Sequence, residues 1–319
     1  MGTLAAIADA IARALAPLTL LAALAAYLHP PLFLVFQSSF LWLFAATMFA
    51  IGIVLEPVDL VDTVRHPGRI ALGVLTQYTV MPLLGFAAAW AVTAAGLPRA
   101  LAVGFIIVGC APGAMASNVI VFLAGGAVAF SVALTTVATF LAPLFTPALV
   151  EFLGSVFLPI PFWKMFQTIL WTVLAPLLLG LALRRLLGPR LVLAQVVAPP
   201  VAVLSIVAIC AYAVAANQQR IAQVGWGVFA LVVVLNGAGY LAGWWLARLY
   251  RFDRRHRLTL AIEIGMQNAG LGVALALAHF GPETALPGAL FAVWCILTAA
   301  GASAWLRRGR RAAAVPGLP

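Results

Sequence analysis

Apolar runs of about twenty residues follow one another from near residue 13 to near residue 306, and this repetition constrains the chain more than any other feature. A helix that crosses the hydrocarbon core of a bilayer needs about 20 apolar residues. On that criterion the runs lie at 13–29, 34–55, 70–95, 100–125, 127–153, 163–187, 198–217, 222–250, 257–280 and 286–306. Pro and Gly mark the junctions, as at His29-Pro30-Pro31, Glu56-Pro57, Pro67-Gly68, Gly96-Leu97-Pro98, Leu158-Pro159-Ile160-Pro161 and Gly188-Pro189, which are ordinary helix-boundary signals. No junction is long enough for a soluble domain. The expectation is an all-α membrane protein of ten transmembrane helices, with residues 1–319 as one unit.

Charge argues the same way. Charged residues make up 8% of the chain, against about 25% in soluble domains. Cys110, Cys210 and Cys295 all lie inside apolar runs, which fits small buried hydrophobes and not a disulfide framework. The net charge of +10 could suit a nucleic-acid binder, but that needs basic patches on polar surface. Here the bases fall in short clusters between apolar runs. Arg13, Arg65, Arg69, Arg184, Arg185, Arg190, Arg248, Arg251, Arg254, Arg255, Arg257, Arg307, Arg308, Arg310 and Arg311 fall on one side of a ten-span topology, and Arg99, Lys164 and Arg220 on the other. Fifteen against three predicts that both termini are cytoplasmic. A cleaved signal peptide over Arg13 to Tyr27 is disfavoured by Asp9 ahead of it and by the odd helix count it would leave. The run Arg254-Arg255-His256-Arg257 reads as a topology signal, with anionic-lipid binding as its alternative.

Five spans per half means that the second half enters the membrane from the opposite side, the layout of an inverted repeat over about 10–155 and 160–307. The polar interruptions match. In the fourth run, Cys110-Ala111-Pro112-Gly113 breaks the helical pattern ahead of Ala116-Ser117-Asn118. In the ninth run, Glu263-Ile264-Gly265-Met266-Gln267-Asn268-Ala269-Gly270 does the same. A discontinuous helix presents free N–H groups at the start of its second piece and free carbonyls at the end of its first. Two such breaks crossing at mid-membrane would make a combined cation and anion site. N–H groups from Ala116 to Asn118 and from Asn268 to Gly270 are the expected anion donors.

Of the eight acids, Glu263 alone lies well inside a run, and no Lys or Arg lies in the middle of any. A charge at the bilayer centre costs at least about 2.5 kcal/mol and needs a partner. Either Glu263 is protonated or a bound cation neutralises it. Ser131 and Thr135 share a helix face four residues apart. Together with Gln77, Ser117, Asn118, Gln267 and backbone carbonyls they supply neutral oxygens around one carboxylate, a set suited to a hard monovalent cation.

Gly109-Cys110-Ala111-Pro112-Gly113-Ala114-Met115-Ala116-Ser117-Asn118 resembles the fourth-helix motif of the bile acid:sodium symporter family. Ile262-Glu263-Ile264-Gly265-Met266-Gln267-Asn268-Ala269-Gly270-Leu271 resembles its ninth-helix motif, Gln77 to Pro82 its third helix, and Pro287 to Phe291 with Val293-Trp294 the start of its last. The resemblance covers about residues 10–307. It implies a bacterial inner-membrane symporter with a panel domain of helices 1, 2, 6 and 7 and a core domain of helices 3–5 and 8–10. It also implies two sodium sites. The first would use Ser117, Asn118, Ser131, Thr135 and Glu263. The second would use Gln77, Glu263, Gln267 and the backbone of Ile264 and Met266.

The substrate side departs from the family's bile-acid pattern. Met115 stands where a Thr is expected, and Cys295-Ile296 where a His-Asn pair is expected, while Asn268 remains. The resemblance therefore implies import of a small organic anion, a pantoate- or keto-acid-like monocarboxylate ahead of a bile acid. Met115, Ala116, Ser117, Asn268, Gly270 and Cys295 are the candidate substrate contacts. Sodium, the anion and the bilayer are the expected partners, with no nucleic acid and no obligate protein partner. The rival readings are a proton-coupled antiporter of related fold and a channel or sensor. An enzyme is disfavoured because no nucleophile–base pair, aspartate pair or metal cluster is evident.

Overall fold

The computed structural model describes Ala6, Ala10, Ile11, residues 14–55 and residues 66–313. Arg13, Arg65 and the acids Asp9, Glu56, Asp59 and Asp62 lie outside the described residues. Among the described residues twelve helices of eight residues or more carry the fold: α1 (Leu15–Leu28), α2 (Phe40–Val54), α3 (Pro67–Ala94), α4 (Arg99–Cys110), α5 (Ser117–Ala124), α6 (Val128–Gly154), α7 (Phe162–Leu186), α8 (Leu191–Ala216), α9 (Gln218–Leu249), α10 (Arg254–Gly265), α11 (Ala269–His279) and α12 (Pro282–Ala313). Among the described residues there is no β-strand.

Among the described residues six helices, α3, α6, α7, α8, α9 and α12, are long and apolar enough to cross a membrane unaided. The count falls below the ten apolar runs for a physical reason. The fourth and ninth runs are each cut in two by their breaks. The first run turns by 112° into the short segment Pro31–Ser38, and α2 is only 15 residues long. Leu, Val and Trp side chains point outward over much of the surface, with Trp42 78% and Trp226 86% exposed. An apolar exterior of this extent suits lipid contact and would be costly in water.

One start is corrected. The seventh run is expected from residue 198, but α8 begins at Leu191, with Pro199 and Pro200 inside it. Proline is tolerated in apolar helices where neighbouring groups re-satisfy the freed backbone.

The helices pack in two groups. In one, α8 lies against α1 and α2, and α7 packs on α2. Helices α2 and α7 touch backbone to backbone: a Cβ on Gly52 would stand 2.2 Å from Leu177 O, and one on Gly180 2.3 Å from Phe49 O. Arg184 on α7 donates to Ile53 O (2.9 Å) and Val54 O (3.0 Å), placing a cation on the exposed carbonyls at the end of α2. In the other group α3 packs on α4 and α6, α9 on α10, and α12 on α4, α9 and α11. The groups meet where α8 packs on α11 and α12 and α7 on α6, and also at the α8–α9 corner. Asn217 Nδ2 donates to Pro282 O (2.7 Å), Gln218 Nε2 to Tyr27 O (2.8 Å), and Arg220 pairs with Glu283 at 3.2 Å.

Candidate functional site at two paired helix breaks

The two interruptions meet. Ala114 N–H donates to Met266 O (2.9 Å) and Asn268 N–H to Pro112 O (2.8 Å), so Gly113 and Gln267 face each other across an isolated antiparallel bridge. Each break leaves backbone groups without helical partners, and each supplies some of the other's.

Glu263 lies on the last turn of α10, just before its break, and is 1% exposed. Three hydroxyls close on its carboxylate. Ser117 Oγ donates to Oε1 at 2.5 Å, Ser131 Oγ also donates to Oε1, and Thr135 Oγ1 donates to Oε2 at 2.7 Å. Ser131 Oγ also lies 2.8 Å from Asn118 Oδ1, and Thr135 Oγ1 2.8 Å from Ser131 O. Each hydroxyl has one proton to give. Three protons thus serve the two carboxylate oxygens, one amide oxygen and one carbonyl, and the cluster is rich in lone pairs. Glu263 has no ion-pair partner among the described residues. Gly113 lies close against this group: a Cβ there would sit 3.0 Å from Glu263 Oε2, so the carboxylate would have to shift to admit it.

The helix carrying Glu263 is anchored at its other end. Asp253 caps α10, accepting from the backbone N–H of Arg255 (2.8 Å) and His256 (3.1 Å) and pairing with His256 Nδ1 at 2.6 Å. Partial burial pushes the Asp253 carboxyl up, but the bonds from His256 and Arg255 outweigh it and hold the carboxyl below its ordinary value. One turn before Glu263, Thr259 Oγ1 accepts from Ala127 N–H (2.8 Å), so one helix face both caps α6 and reaches Ser131 and Thr135 on it.

A second cluster of amides and carbonyls adjoins the breaks. Gln77 Nε2 donates to Ala111 O (2.9 Å) and Gln267 Oε1 (2.7 Å), and Gln267 Nε2 donates to Ile264 O (2.7 Å). The structure thus joins Gln77, Gln267 and the Ile264 carbonyl, while the Met266 carbonyl is engaged by Ala114. Sequence reasoning misses Asn236. Buried on α9, it donates to Gly265 O (2.8 Å) at the end of α10 and accepts from Thr298 (2.9 Å). An amide inside an apolar run is the signal that could have found it.

The candidate substrate contacts divide. Of the expected N–H donors, Ser117 bonds to Ala114 O, Asn118 to Met115 O, Asn268 to Pro112 O and Ala269 to Gln267 O. The N–H groups of Ala116 and Gly270 carry no hydrogen bond among the described residues. Asn268 Oδ1 accepts from Leu271 N–H (3.1 Å) and caps α11, which leaves its amide nitrogen as the free side-chain donor. Gly270 faces Phe44 of α2, a Cβ there standing 3.4 Å from the ring. Met115 and Ala116 are half-buried beside α5. Cys295 is buried on α12, its thiol donating to Ala292 O one turn back at 3.6 Å, and it joins none of these groups.

The sequence profile of the sodium bile acid symporter family matches residues 41–224, more than half of the chain. The chain belongs to the sodium bile acid symporter family. Among its relatives, the uncharacterized sodium-dependent transporter YocS of Bacillus subtilis is 42% identical over 258 residues, covering 81% of this chain and 79% of that protein. The probable sodium/metabolite cotransporter BASS1, chloroplastic, of Oryza sativa is 38% identical over 248 residues, and its Arabidopsis thaliana counterpart 36%. Each plant alignment covers 77% of this chain but only 60% and 61% of the plant proteins. This family member is thus a multi-pass membrane protein of a sodium-dependent transporter family, and not an enzyme.

Proposed function

We propose that the protein imports a small organic anion together with sodium by alternating access. The observation that carries this reading is Glu263: a buried carboxylate with three hydroxyls and a nearby amide oxygen around it and no basic partner among the described residues. The set is made of hard oxygens, of which only the Glu263 carboxylate is charged, and it fits sodium better than a divalent ion. Ser117, Asn118, Ser131, Thr135 and Glu263 form the first sodium site. Gln77, Gln267, Glu263 and the Ile264 and Met266 carbonyls form the second.

On this reading the chain makes ten spans in two inverted five-helix repeats, α4 with α5 and α10 with α11 each forming one discontinuous span. Helices α1, α2, α7 and α8 are the panel, and the rest are the core. The termini face the cytoplasm of a bacterial cell, as the Arg distribution supports. The substrate is a pantoate- or keto-acid-like monocarboxylate seated between core and panel, where Gly270 meets Phe44. Its carboxylate takes the N–H groups of Ala116 and Gly270, and the Asn268 amide nitrogen reads a hydroxyl or keto oxygen. Uptake by the purified protein in liposomes tests the proposal. Pantoate, pyruvate and taurocholate are compared under inward sodium and potassium gradients. Uptake of none of them under a sodium gradient would defeat this substrate assignment, and uptake equal in both gradients would defeat the coupling.

A further inference from the structure

A cavity of about 730 Å³ lies away from the helix breaks, at the Arg-rich end of the bundle where α3 begins and α9 turns into α10. Arg69, Leu72, Tyr250, Arg251, Phe252 and His256 are among its walls. Arg251 is the one non-glycine among the described residues with positive φ, at 58°. It closes α9: Phe252 N–H bonds to Ala247 O and Arg251 N–H to Arg248 O, both at 3.0 Å. That pairing is a Schellman cap, whose left-handed position normally belongs to glycine. The chain itself uses glycine at comparable left-handed positions, Gly96, Gly125 and Gly188. A side chain kept where it strains the backbone points to a use for that side chain.

Arg69 and Arg251 are both exposed, and neither guanidinium has a hydrogen-bond or ion-pair partner among the described residues. Asp253, the one carboxylate lining the cavity among the described residues, is spent on the α10 cap and on His256. Two guanidiniums lining one cavity, with no partner among the described residues, suit a tetrahedral anion with several acceptor oxygens. We infer that this cavity binds a phosphate group, carried either by a soluble phosphate or by an anionic phospholipid headgroup.

Occupancy should stiffen the fold, because the cavity walls are continuous with it. Tyr250 Oη lies 3.0 Å from Thr76 Oγ1 on α3, and Phe252 and His256 both pack on Phe130 of α6. The test is thermal melting of the purified full chain in detergent. The probes are inorganic phosphate against chloride at equal ionic strength, and dioctanoyl phosphatidylglycerol against dioctanoyl phosphatidylcholine. The variants are Arg251→Gly, which relieves the backbone, and Arg69→Gln. Wild type should be stabilised by phosphate, by phosphatidylglycerol or by both, and each variant should need at least about tenfold more probe, the loss expected for one charge-assisted bond. A response to phosphate alone assigns the soluble source, and a response to phosphatidylglycerol alone assigns the headgroup. The inference is overturned if neither probe exceeds its control, or if Arg251→Gly and Arg69→Gln respond as wild type does.

Discussion

Glu263 and Gly113 come from different halves of the chain, yet a single methyl group added to Gly113 would stand 3.0 Å from the Glu263 carboxylate. The glycine leaves the room in which that carboxylate, and anything it holds, must sit. Gly113→Ala should therefore displace the carboxylate by a few tenths of an ångström and weaken sodium binding about tenfold, or about 1.4 kcal/mol. Sodium titrations followed by thermal melting measure this. An unchanged midpoint would show that the carboxylate is not a ligand.

Glu263→Gln separates charge from shape. At a sodium concentration of 100 times Kd, wild type should gain about 2.7 kcal/mol of stability, and the variant none. In sodium-free potassium buffer the order should reverse or level, because the variant no longer buries an uncompensated charge. A wild type that is more stable than the variant in both buffers would count against a cation at this position.

Asn236 provides the contrast. Its bonds to Gly265 O and Thr298 hold the end of α10 without touching the carboxylate cage. Asn236→Ala should cost about 1–3 kcal/mol through the unpaired buried groups it leaves. The loss should be the same with and without sodium. Melting curves at several sodium concentrations check this, and a loss confined to saturating sodium would make Asn236 a binding residue instead.

Asp253 predicts a pH dependence. Its folded carboxyl titrates below its ordinary value, so its contribution is present above the unfolded Asp range and fades as pH falls through the lower, folded one. Asp253→Ala should cost about 1 kcal/mol near neutral pH, as for a lost helix cap. The gap from wild type should close in acid. A gap that is constant down to the lowest pH at which the protein stays folded would contradict the cap.

Two sodium ions with one monoanion carry one net positive charge inward. Uptake should therefore accelerate under an inside-negative potential, within a bound of about 2.3 kcal/mol per charge per 100 mV. A potassium–valinomycin potential applied to proteoliposomes measures it, and indifference to that potential would mean a dianion or a single sodium.

Much of this site is legible in the sequence because its parts are out of place in an apolar chain. Pro112-Gly113 and Gly265 interrupt helical runs, and Glu263 is an acid with no base in reach. That the two breaks meet is expected from the sequence, but the individual bonds between them are not legible. Nothing local to Pro112 says that its carbonyl accepts from Asn268, because that bond exists only once the helices have docked. Thr259 hides in the polar start of α10, and its role comes from where the α5–α6 turn happens to lie. The start of α8 at Leu191 is not legible either, because the apolar run is read only from residue 198 while the helix continues back through Pro199-Pro200 to Leu191. The expected row of free N–H groups thins to Ala116 and Gly270, since a 3-10-like turn uses those of Ser117 and Asn118, the bridge between the breaks that of Asn268, and the Gln267 carbonyl that of Ala269.

The bridge between Gly113 and Gln267 also bears on how the protein is made. Pro112 and Ala114 lie in the first half of the chain, and their partners Met266 and Asn268 are synthesised only near the end. Bare backbone polar groups are not tolerated against lipid. On the proposed ten-span topology, the fourth apolar run stays in contact with water or with the insertion machinery until the ninth arrives. A chain truncated before residue 266 lacks the partners of Pro112 O and Ala114 N–H, so the seam between the breaks stays open.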